Sequence, residues 1–174
     1  MSFNKNLFSS LALAVLVSIQ GCAIGPTVVW KAVPENPKAE NATFSAEITP
    51  ICSSDGCDGF MLSVVNKTQS TIELDWNKTL YIAEGQSSGG FMFEGIVYRD
   101  RNNPKAPDVI FPGGNLKKAI WPNNLVYFNA YEPRWHNLSM GAGERGVYIT
   151  VSVGGRAVSE RISTNLHTEQ VAPH

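Results

Sequence analysis

The chain has 174 residues, 14 basic against 15 acidic side chains, a formal net charge of −1 and 43% hydrophobic residues. That balance gives no electrostatic case for nucleic acid or for a strongly anionic surface, both of which call for a basic patch. The length suits one domain that buries about 70% of its unfolded surface and needs no outside help to form a core.

The N-terminus places Lys5 ahead of Leu7, Phe8 and the apolar run Leu11-Ala12-Leu13-Ala14-Val15-Leu16-Val17, which ends at Ile19-Gln20-Gly21-Cys22. A basic start, an apolar helical segment and a small residue before the cut describe a secretory signal peptide over residues 1–21. The run is shorter than the about 20 apolar residues a spanning helix needs. Ile19-Gln20-Gly21-Cys22 resembles the lipobox of bacterial lipoproteins. The resemblance implies cleavage after Gly21, acyl chains on Cys22 and attachment to a membrane outside the cytoplasm. Ala23 stands where an Asp would retain the protein at the inner membrane, so in a Gram-negative cell the resemblance implies the outer membrane. Anchoring through two or more chains is stable, at roughly 0.8 kcal/mol per buried CH₂.

Acylation of Cys22 leaves the pair Cys52 and Cys57, with the turn signal Asp55-Gly56 between them. The spacing is not CxxC and no neighbouring His completes a zinc set, so a structural disulfide is expected. An exported location favours it, and so small a loop is worth about 2 kcal/mol in the chain-entropy model.

Residues 22–42, with Pro26, Pro34 and Pro37, read as a tether of roughly 60–70 Å if extended. Val28, Val29 and Trp30 interrupt it as an edge strand docked on the domain would. From residue 43 to 164 the hydrophobic period is two. Phe60 to Val65 is an apolar strand. Ile72, Leu74 and Trp76 alternate with Thr71, Glu73 and Asp75, and Thr79 to Ile82 repeats the pattern. Phe91-Met92-Phe93 with Gly95 to Tyr98 forms another strand region; Leu116 to Trp121 and Leu125 to Tyr131 follow. Gly154-Gly155 is a two-residue hairpin turn that pairs Val151 with Val158 and Val147 with Ile162. It also sets Glu160 across from Ile149, the mark of an edge strand or a bulge. Pairing Cys52 with Cys57 in a regular hairpin would turn Phe44, Ala46 and Ile48 away from the face of Phe60, Leu62 and Val64. Either a bulge near Pro50 restores a common face, or both faces of the second strand are covered; the bulge is the preferred reading. Residues 165–174 read as a polar, frayed tail. Short strands between turn signals predict an all-β fold, an immunoglobulin-like or fibronectin-like sandwich of about seven to nine strands, alike in architecture only.

Catalytic patterns are missing. His136, His167 and His174 show no HxH or HExxH spacing. Ser139 lacks the first glycine of a nucleophile elbow, and phosphate-loop patterns do not occur. Glu73 and Asp75 share a strand face as a glycosidase pair might, although a solvated face accounts for them better. The expectation is therefore a protein without catalytic activity, metal or cofactor. Two loops suggest recognition. One runs from Tyr98 to Asp108 with Arg99 and Arg101; as a long connection in a compact domain it is either functional or an ordinary charged turn. The other runs from Tyr131 to Gly141 and carries Arg134, Trp135 and His136. Exposed Trp and Arg are typical binding anchors, whereas a buried Trp135 would plug one end of the sandwich. The expected function is an envelope accessory protein that binds another envelope component; the alternative is an exclusion or immunity lipoprotein that blocks a receptor or a toxin.

Overall fold

In a computed structural model the described residues are 27–172; the signal peptide, Cys22 and His174 lie outside them. Two antiparallel sheets stack face to face, the sandwich that the period-two pattern predicts. The first sheet contains β1 (Thr27–Val33), β14 (Arg156–Val171), β13 (Gly143–Val153), β5 (Ile72–Leu74) and β9 (Asp108–Ile110), in that order. The pair β6 (Leu80–Ala83) and β7 (Gln86–Ser87) joins it through β13. The second sheet runs β2 (Lys38–Glu40), β3 (Phe44–Ser53), β4 (Gly56–Asn66), β10 (Asn115–Pro122), β8 (Phe91–Phe93). A separate hairpin, β11 (Val126–Asn129) with β12 (Arg134–Asn137), makes fourteen strands. This exceeds seven to nine because several pairings last only two or three residues.

The inward rows match the alternation of the sequence. Phe44, Ile48, Phe60, Leu62 and Val64 from one sheet meet Ile72, Leu74, Val147, Ile149, Val151, Ile162 and Leu166 from the other, all fully buried or nearly so. Each such side chain contributes roughly 1.5–3 kcal/mol of transfer free energy. The Gly154-Gly155 turn pairs Val151 with Val158 and Val147 with Ile162. Glu160 does sit opposite Ile149, at a stretch of β14 beyond the reach of β1, where Asn41 Nδ2 donates to its carboxylate at 2.9 Å.

The Cys52–Cys57 disulfide is present. The register of β3 on β4 shifts between Ile51 and Cys52, so Asp58 is the extra residue of a bulge. Beyond it Pro50 faces Phe60, Ile48 faces Leu62 and Ala46 faces Val64, which puts both apolar sets on one side. At the far end of β4, Asn66 is buried; its Nδ2 donates to the carbonyls of Ser70 (2.8 Å) and Ile110 (2.9 Å), tying a turn to the opposite sheet.

Two boundaries need correction. The edge strand expected at Val28, Val29 and Trp30 is present as β1, which begins at Thr27, and with β2 at Lys38–Glu40 it leaves no long tether within residues 27–42. Nor is 165–174 a frayed tail: β14 continues to Val171, and Thr27 to Val33 pair with Val171 to Asn165. Each segment supplies the other's missing backbone partners. From Cys22 to Thr27 the chain can span at most about 17 Å, in place of 60–70 Å. Gly95 to Tyr98 is also not strand: Gly95 has φ +91°, which turns the chain off the sheet after Phe93.

Candidate binding surface

Tyr98 begins a single 3₁₀ turn, Tyr98–Asp100, just beyond the edge strand β8. The chain around it is held by side-chain clamps. Asn77 donates to the Lys105 carbonyl (2.9 Å) and accepts from the Lys105 N–H (2.8 Å), and Asn123 Nδ2 donates to Asn102 Oδ1 (3.0 Å). Lys105 Nζ donates to the Arg101 carbonyl at 2.7 Å, and partial burial lowers its pKa below the usual lysine value.

The segment expected as a second loop is mostly the β11–β12 hairpin. Tight turns at Asn129–Arg134 let four residue pairs form, and strand alternation sorts them onto two faces. Val126, Phe128, Trp135 and Asn137 face the sandwich edge. Tyr127 and His136 stack on the outer face with centroids 5.4 Å apart. Arg134 on β12 pairs with Glu132 at 2.7 Å. At the base, Asn137 Nδ2 donates to Asp58 Oδ2 at 3.0 Å, and the Met140 N–H donates to the Cys57 carbonyl at 2.7 Å. Nearly buried Arg145 then grips the return into β13, donating to the carbonyls of Met140 and Ala142, each at 2.6 Å.

The two predicted loops meet. The rings of Tyr98 and Trp135 stack with centroids 3.5 Å apart and an interplanar angle of 15°. Phe128 packs on Trp135 at 4.6 Å. The Arg101 guanidinium lies 4.0 Å from the Tyr98 centroid, on the face the indole leaves free. Trp135 nevertheless stays 45% exposed, so it is not a plug inside the sandwich.

Of the predicted residues, Arg101 and Trp135 thus join through Tyr98. Arg99 stands apart, paired among the described residues only with Asp100 at 3.7 Å. Arg134 and His136 belong to the other face of the hairpin, where Arg134 Nε approaches His136 Nε2 at 3.3 Å.

Behind the stack lies an open cleft of about 370 Å³. Phe93, Ile96, Trp121, Val126 and Trp135 supply its apolar walls, with Glu94 and Asn137 as polar points. It shares Glu94, Gly95 and Trp121 with a larger trough that continues across Met61, Lys117 and Ala119. Trp121 is only half-buried. Gly59, beside the bulge, gives it room, since a Cβ there would meet the Trp121 ring at 2.7 Å and the Ile120 carbonyl at 2.5 Å. Buried Trp76 does serve packing: its Nε1–H donates to Asp108 at 2.9 Å, and Asp108 pairs across the sandwich with Lys118.

The alternation of β10 could have revealed the trough, because Lys117, Ala119 and Trp121 share the side opposite Ile120. The Tyr98–Trp135 contact has no comparable signal in the sequence. Among the described residues no group of His, Cys, Asp and Glu is arranged to hold a metal ion. Comparison with protein-family models, curated proteins and solved structures finds no match.

Proposed function

We propose that this chain is a lipid-anchored binding protein of the bacterial cell envelope that recognises another envelope component through the cleft walled by Trp121 and Trp135. The observation that carries this reading is the Tyr98–Trp135 stack, which joins two distant segments into one surface beside an open cleft. A clustered Trp, Tyr and Arg surface is the composition of binding hot spots, where a few large side chains supply most of the energy. A concave apolar site with few polar points is also the usual form of a ligand pocket. Acylation of Cys22 would confine that surface to the membrane and raise its encounter rate with membrane-bound partners.

Crosslinking in intact envelopes tests the reading, with a photoreactive residue in place of Ile96 in the cleft and, as a control, Tyr148 on the sandwich flank. A defined adduct from position 96 that disappears in the combined Trp135→Ala, Arg101→Ala variant is the expected result. Equal adducts from both positions, or capture unchanged in the double variant, would remove the cleft as the recognition site. A receptor or toxin in the adduct would assign the protein to exclusion or immunity.

A further inference from the structure

We infer that the outer face and tip of the β11–β12 hairpin rest on the lipid surface to which Cys22 is anchored, as a second membrane contact. This rests on acylation of Cys22.

The first ground is chain length. With β1 starting at Thr27, the end of the sandwich that carries Thr27 can lie no more than about 17 Å from Cys22. The second is position. Thr27 pairs with Val171, beyond the level where β13 begins, and Trp30 shares a pocket with Cys52, so the disulfide turn lies at that same end. The hairpin is rooted there through Asn137 on Asp58 and Met140 on Cys57. The short link therefore brings the hairpin to the membrane together with β1.

The third ground is composition. Tyr131 at the tip is 98% exposed, Leu138 is 49% exposed and Tyr127 is 40% exposed. The inner residues Val126 and Trp135 already line the cleft, so these three need a different role. Tyrosines beside a basic residue suit the headgroup region, where the ring sits among acyl chains and the hydroxyl stays wet. Glu132, the acidic residue of the tip, is neutralised by Arg134 at 2.7 Å. The contact would hold the domain at a fixed tilt, with the cleft opening close to the membrane plane.

The test uses the full acylated chain in phosphatidylethanolamine–phosphatidylglycerol vesicles, with and without bromine-labelled phosphatidylcholine. Tryptophan is introduced at the tip by Tyr131→Trp and, for comparison, on the flank by Tyr148→Trp; each emission is read as a difference from the parent protein. The tip emission should shift to the blue and be quenched by the brominated lipid, while the flank emission is unchanged. Acylated, vesicle-bound protein whose tip emission ignores the lipid would overturn the inference and leave the anchored reading standing. A tip that responds only after an envelope protein is added would overturn it too, in favour of a protein contact. Mass analysis of the Cys22 peptide separates the two claims, since an unmodified cysteine ends both.

Discussion

The centre of the sandwich and the hairpin at its end use the same kinds of side chain to different purposes. In the centre Phe60, Leu62, Ile149 and Val151 come from two sheets and are sealed on every side. At the hairpin Phe128, Trp135 and Tyr98 stack in a row open to solvent, 46% exposed at Phe128 and 45% at Trp135. Core burial of an aromatic contributes to stability through transfer from water and through packing on all faces. An exposed stack gains only the ring–ring contact, so its apolar surface remains available for something else. Large hydrophobic residues gathered in one exposed patch mark interaction sites far more often than singly scattered ones.

Substitution separates the two regions. Phe60→Ala should lower the unfolding free energy by about 3–5 kcal/mol, the usual cost of an emptied aromatic site in a core. Removing the disulfide with Cys52→Ser and Cys57→Ser should cost about 2 kcal/mol, because a short loop restricts the unfolded chain only modestly. Trp135→Ala should cost roughly 1 kcal/mol, the scale of a lost aromatic pair, and leave the far-ultraviolet circular dichroism unchanged. Denaturant unfolding of the three variants measures all of these. A Trp135→Ala loss as large as that of Phe60→Ala would show the hairpin stack to be part of the core and erase the distinction between the regions.

Alkaline titration sharpens it from another side. Burial pushes the Tyr81 phenol up to about 12. The unfolded chain ionises this group near its ordinary value of about 10 while the folded chain holds the proton. Its contribution is therefore complete below the unfolded value and is lost as pH rises toward 12. Tyr81→Phe should flatten the decline in stability over that window, as read from denaturant curves. A profile identical to that of the wild-type protein would contradict the burial argument.

What the sequence revealed follows the range of the interactions. Ile72, Leu74 and Trp76, and the hairpin turning at Gly154-Gly155, were legible because alternation and turn chemistry are local. The bulge was legible as a conflict between the disulfide and the apolar rows, which an extra residue resolves. The docked edge strand was legible at Val28, Val29 and Trp30, whereas the polar stretch from His167 to Val171 was not, because it is strand only through its pairing with β1. The first strand of the hairpin was legible within Leu125 to Tyr131, but the second was hidden by Pro133 and the polar residues of the turn. The meeting of Tyr98 with Trp135 depends on tertiary structure alone. Arg99 and Arg101 lie side by side in a charged loop, and nothing in their local pattern distinguished the one that stacks from the one that does not.

The anchor proposed at Cys22 matters most, since the proposed tilt of the domain and setting of the cleft at the membrane depend on it. Growth with radiolabelled palmitate should label the wild-type protein, which should sediment with membranes. The Cys22→Ser variant should take up no label and remain in the soluble fraction. Wild-type protein that stays unlabelled would contradict the central claim.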